Sequence, residues 1–166
     1  PPCHGRRPLC GQARSPNFPL RMPIYTQSIQ IAASVAQVDR CLTDLELMKR
    51  WLNPLLGCEA VGSPLAELGS RYRFFLRLPF VSPSLDCVIT ERAEGLVQWQ
   101  FEGFFEGTDR WECHPQPGGT LLVNCFNFRI PSPWVAAGFY LLAAGPTQQD
   151  MRAQLRRLKA VAEALG

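Results

Sequence analysis

The stretch Ile29–Pro54, IQIAASVAQVDRCLTDLELMKRWLNP, decides how the chain is read. Just upstream and into it, Tyr25, Ile29 and Ile31 fall on one side of an extended chain and Thr26, Ser28 and Gln30 on the other, the period-two signature of a half-buried strand. Ser34 followed three residues later by Gln37 forms a capping box, and Val35, Val38 and Leu42 then mark one helical face, so a short helix runs to about Thr43. Asp44 can cap a second helix in which Leu45, Met48 and Leu52 share a side with Trp51 at its flank, until Asn53-Pro54 stops it. The quoted stretch is therefore a strand followed by two short helices, with a tryptophan at the exit of the second.

Downstream the text turns to strands separated by turn residues. GCEAVG is a weaker strand, and GSRYRFFLRLP is a strong one: Tyr72, Phe74, Leu76 and Leu78 point one way, Arg71, Arg73 and Arg77 the other. LDCVITE is another, its inward face undecided by pattern. LVQWQFE aligns Val97, Trp99 and Phe101; GTDRWECHP aligns Asp109, Trp111 and Cys113; after the turn PQPGGT, TLLVNCFNF aligns Leu122, Asn124, Phe126 and Phe128. About six strands joined by short links make an antiparallel meander. Beyond IPSP the chain becomes helical: WVAAGFYLLAAG is apolar nearly all round, Pro146 interrupts, and Thr147 with Asp150 offers a fresh cap before Met151, Leu155, Leu158, Ala162 and Leu165 recur at four-three spacing. Twelve apolar residues reach only about 18 Å as helix against about 30 Å of hydrocarbon, so this segment cannot span a bilayer.

Composition narrows the class. At 166 residues with 46% hydrophobic content the chain suffices for one packed domain. The net charge of +3 is carried by the first stretch, which holds Arg6, Arg7, Arg14 and Arg21 and no acid before Asp39; setting those four aside leaves 13 basic groups against 14 acidic. The domain is thus not basic, and a nucleic-acid partner is not expected. Residues 1–23, rich in proline and arginine and without hydrophobic period, read as a loose tail, with Met22 a candidate start and no signal-type apolar run. Seven cysteines without any C-x-x-C, in an odd number, read as thiols of a reducing cytoplasm rather than disulfides.

One strand, two short helices, six strands and a terminal helix define an α+β domain whose sheet must cover its apolar face with the last helix. This order, with the quoted stretch, LGSRYRF, PQPGGTLL and the closing amphipathic helix, resembles the START and birch-pollen-allergen-like superfamily (SRPBCC, or polyketide cyclase/dehydrase and lipid transport) over about Ile24 to Leu165. The resemblance implies a helix-grip fold for residues 24–166: a seven-stranded antiparallel sheet curled around a long C-terminal helix, enclosing an apolar cavity that takes lipids, polyketides or isoprenoid-like molecules. Some members of such a family are cyclases and many only bind, so the site must decide.

Catalytic chemistry is sparse. His4 lies in the tail; Cys113 and His114, adjacent on a strand, project to opposite faces and cannot form a nucleophile-base pair. No metal-ligand spacing, phosphate loop or G-x-S-x-G elbow occurs, so neither cofactor nor metal is expected. What recurs is aromatic surface. For any single ring core packing is the simpler reading, but Trp51, Tyr72, Phe74, Trp99, Trp111, Phe126 and Tyr140 together suit an apolar pocket, with Asp109 and Asn124 as polar handles. Asp109 reads equally as a solvated turn residue of EGTD. The expectation is a carrier or sensor of a hydrophobic small molecule with no catalytic residue assigned. A cyclase using Asp109 and Tyr72 in proton exchange is the alternative, and an interaction module presenting residues 134–145 to a protein or membrane surface is the third. Arg152, Arg156, Arg157 and Lys159 read as the wet face of the last helix.

Overall fold

Two sharp polar signals set the start of the domain. In the computed structural model, which describes residues 24–77, 83–103, 105–130 and 144–166 (of 144–148 the backbone alone), strand β1 (Ile24–Ile31) leads to helix α1 (Val35–Thr43), where Ser34 and Gln37 close the reciprocal capping box. Helix α2 (Leu45–Trp51) begins where the Asp44 carboxylate accepts from the Glu46 and Leu47 amides. Both helix starts thus coincide with the residues whose short polar side chains can satisfy orphan amides.

Six strands follow: β2 (Leu56–Val61), β3 (Arg71–Leu76), β4 (Ser84–Ala93), β5 (Leu96–Gly103), β6 (Glu106–Gln116) and β7 (Gly119–Arg129). They form one antiparallel sheet in the order β1-β7-β6-β5-β4-β3-β2, a meander to which β1 adds beside β7. The β6–β7 hairpin is tight because Gly118 takes a φ of 81° and Gly119 one of 147°. A Cβ on Gly119 would lie 2.0 Å from the Ile31 carbonyl oxygen, so no other residue fits where the start of β7 passes the end of β1. On β4 the undecided parity resolves with Cys87 and Ile89 inward, and the pairing shifts between Ile89 and Glu91.

The C-terminal helix α3 (Ala144–Glu163) starts earlier than the sequence suggests. Pro146 falls in its first turn, where the missing N–H costs nothing, so it is accommodated instead of ending a segment, and Thr147 lies inside the helix rather than capping it. Leu155, Leu158, Val161 and Ala162 are buried. Its C-terminal half is pinned to the sheet edge and to α2: Lys159 Nζ donates to the Gln30 carbonyl at 2.6 Å, the Glu163 carboxylate accepts from the Ala32 amide at 2.7 Å, and Arg157 Nε donates to the Trp51 carbonyl at 2.8 Å. On the other flank, Asp39 ties α1 to the β4–β5 hairpin, both its oxygens accepting from Arg92 and one also from the Gly95 amide.

These ties pack α1, α2 and the end of α3 over one half of the inner sheet face. Ile31, Val38, Leu42, Met48, Val97, Leu122 and Leu158 fill it with little or no solvent contact. Trp51 belongs to this solid part: it is 3% exposed, its Nε1 donates to the Cys41 carbonyl at 2.8 Å and its ring meets Trp111 edge-on with centroids 5.8 Å apart. Among the described residues no helix is long and apolar enough to cross a membrane. Truncating Trp51 to alanine is expected to cost about 3–5 kcal/mol, against about 1 kcal/mol for Ser34→Ala at the helix cap. Urea unfolding of the two variants, compared by midpoint at constant slope, checks that order.

Candidate ligand site

The other half of the inner face is finished differently. Toward the sheet end where β1 starts and β7 stops, Tyr25, Phe74, Leu85, Phe105, Phe126 and Ile130 pack on the core yet stay half-buried. Their rings fall into two groups: Phe74 meets Trp99 at 6.0 Å, while Phe126 stacks on Phe101 at 5.3 Å and lies 5.2 Å from Phe128, which in turn stacks on Tyr25 at 5.8 Å. The chain between β7 and α3, which contains Tyr140 and most of the apolar run 134–145, lies outside the described residues.

A polar row is set into this apolar face where its solid and half-buried parts meet. Asp109 sits in the body of β6, opposite Trp99 on one neighbour and Phe126 on the other, and not in a turn. Its Oδ1 accepts from Asn124 Nδ2 and its Oδ2 from Trp111 Nε1 at 2.9 Å. Asn124, 3% exposed, also donates to the Arg110 carbonyl. Gln27 of β1 faces Asn124 directly across the ladder, and its side-chain carbonyl oxygen is buried with no hydrogen-bond partner among the described residues. Such an acceptor costs about 1–3 kcal/mol unless something donates to it.

Burial pushes the Asp109 carboxyl up to about 6, the two donors pulling the other way and only partly offsetting it. Cys41, Cys58 and Cys113 offer no comparable chemistry, since burial drives the first up to about 11 and the other two up to about 12, leaving them protonated and inert at neutral pH. No group of three or more His, Cys, Asp or Glu side chains suited to a metal ion occurs among the described residues.

The sequence-predicted residues therefore separate into sets. Asp109, Trp111 and Asn124 are joined by hydrogen bonds, with Phe126 next to Asp109 on the ladder. Tyr72, Trp99 and Phe74 form a second cluster, Tyr72 and Trp99 meeting edge-on at 5.0 Å. The Tyr72 hydroxyl donates to the Pro64 carbonyl at 3.1 Å and so does not face Asp109. Trp51 meets the first set at Trp111. Gln27 and Tyr25 join the site unannounced, although both share the parity of Ile29 and Ile31 that marks the inward face of β1.

Comparison with known proteins agrees with this architecture. The family described as polyketide cyclase / dehydrase and lipid transport matches residues 22–163. The chain belongs to this family. Among solved structures, TTHA0849 from Thermus thermophilus is similar at 20% identity and a TM-score of 0.71, over 87% of this chain and 99% of that one. An uncharacterised protein from Rhizobium leguminosarum is similar at 13% identity and a TM-score of 0.68, over 86% and 95%. CV1439 from Chromobacterium violaceum is similar at 13% identity and 0.64, over 84% and 96%. At these identities the likeness is one of fold. No curated protein matches the sequence significantly.

The raised Asp109 carboxyl has a consequence for stability. With its pKa up from 3.8 to about 6 in the folded protein, the native state binds more protons than the unfolded chain between those values. Asp109 therefore favours folding fully below about pH 4, and that contribution is lost as pH rises through 6. Asp109→Asn, which cannot ionise, is expected to flatten the fall in stability between pH 4 and 6; parallel urea titrations of the two proteins across that range measure the difference.

Proposed function

We propose that the protein binds a hydrophobic small molecule (a lipid, polyketide or isoprenoid-like compound) against the half-buried aromatic half of the inner sheet face, as a carrier or sensor. The observation that carries this reading is the polar row Gln27–Asn124–Asp109 set among Tyr25, Phe74 and Phe126. A packed core excludes unsatisfied acceptors and half-desolvated carboxyls, whereas a ligand site needs a few fixed polar groups on an apolar wall. Family membership supports the same class of guest. Trp99 and Trp111 serve as the rigid floor under the contact rings, and Trp51 holds that floor from behind.

A second reading, a cyclase-like enzyme working on the same guest, draws on Asp109 alone. A carboxyl titrating at about 6 can exchange a proton near neutrality, and the proximity of a folded reactive chain would do the rest. Both its oxygens, however, are engaged by donors, and Tyr72 is turned to Pro64. Binding without chemistry is the simpler use of this geometry.

Native mass spectrometry of the purified full chain tests the proposal. The expected result is a population carrying an apolar adduct, reduced several-fold in Phe74→Ala/Phe126→Ala while the protein remains folded. An adduct-free protein that also fails to bind an apolar fluorophore would contradict it.

A further inference from the structure

The basic run on α3 divides in the structure. Arg157 and Lys159 are engaged, the first with Trp51 and Asp150, the second with Gln30 and Glu163. Arg152 and Arg156 are exposed and have no ion-pair or hydrogen-bond partner among the described residues. They stand one helical turn apart on the same face, a like-charged i,i+4 pair that costs α3 a little stability on its own. Nor do the nearby acids neutralise them, because Asp150 is taken by Arg157 and Gln154, and Glu163 by Lys159 and Ala32.

Arg152 and Arg156 both line a cleft of about 310 Å³ between α3 and the edge of β1. Its other walls are Gln27, Ser28, Ile29 and Leu155. Leu155 is 5% exposed and Ile29 packs against the core, so the floor is apolar. Gln27 is the residue whose buried carbonyl oxygen lacks a donor, and it also faces Asn124 in the polar row. The cleft and the proposed ligand face therefore share Gln27. Along the same edge of β1, the Ala32 amide and the Gln30 carbonyl point outward to α3 side chains. By strand alternation the Ser28 amide lies on that edge too, as a neutral donor beside the arginines.

We propose that the cleft is the head-group site for an anionic amphiphile, its carboxylate or phosphate held by Arg152 and Arg156 while its chain passes Gln27 toward the aromatic wall. This rests on the function proposed above and specifies its ligand: a single-chain compound with an anionic end rather than a neutral sterol-like or hydrocarbon guest. Guanidinium groups suit that end because their planar donors match a carboxylate or phosphate in pairs. Separation of charge and chain is also what the site offers, with both unpaired cations at the rim and the aromatic rings on the inner face.

Binding of laurate, dodecyl phosphate and 1-dodecanol to the full chain, each below its aggregation concentration and followed by intrinsic tryptophan fluorescence, tests the assignment. Laurate or dodecyl phosphate should bind at least tenfold more tightly than dodecanol, and the better of the two identifies the head group. Arg152→Ala/Arg156→Ala should bring the anionic probes down to the dodecanol affinity and leave dodecanol unchanged, whereas Arg152→Lys/Arg156→Lys should restore part of the preference. Equal affinity for all three in the native protein, or an anionic preference that survives the double alanine variant, would overturn the head-group site while leaving the proposed function standing. Failure of all three to bind would likewise overturn the head-group site, and the proposed function would then stand or fall on the adduct and fluorophore measurements.

Discussion

A carboxylate held on an apolar sheet face by one amide and one indole N–H is the constraint around which the inner face is organised. Asp109 fixes the Asn124 amide and the Trp111 ring, Trp111 presents its edge to Trp51, and Trp51 binds α2 to α1 through the Cys41 carbonyl. On one side of that chain lies a conventional core. On the other lie rings that α1, α2 and the end of α3 do not fully cover. The boundary between packed and half-buried surface is thus drawn by polar groups, which is where a site for a small molecule gains orientation as well as area.

The packing of α3 explains why the two halves differ. Its anchors, Lys159 on Gln30, Glu163 on Ala32 and Arg157 on Trp51, all lie in its second half. They pin the helix to the end of β1 where Ile31, Thr120 and Ala33 are buried, Thr120 donating to the Ala33 carbonyl at 2.8 Å. The cleft with Arg152 and Arg156 opens just before those anchors along α3, against Gln27, Ser28 and Ile29 in the middle of β1. Stability and access are thereby assigned to successive turns of one element.

Much of this could be read from the sequence because the signals are local. Ser34 with Gln37, Asp44 before Leu45, and the glycine pair before Thr120 each act within a few residues, and the fold places helix starts and hairpin there. The inward faces of β3, β5, β6 and β7 followed from strict alternation, and they carry the aromatic surface and the Asp109–Asn124 pair. Three features were not legible for physical reasons. Pro146 looks like a break in one dimension, but the first turn of a helix tolerates it. The fate of the Tyr72 hydroxyl depends on a loop carbonyl eight residues away. The division of the basic run into engaged and free arginines depends on β1 and α2, which no pattern within α3 can reveal.

The central claim is that the half-buried rings, and not the tryptophan behind them, form the contact surface for a guest. Intermolecular nuclear Overhauser effects from an unlabelled dodecyl-chain ligand to the isotope-labelled protein address it most directly. The account predicts cross-peaks from the ligand's methylene protons to the rings of Tyr25, Phe74 and Phe126, with none to Trp51 or Val38. Cross-peaks confined to the charged outer face of the sheet, or reaching Trp51 while sparing Phe126, would contradict it.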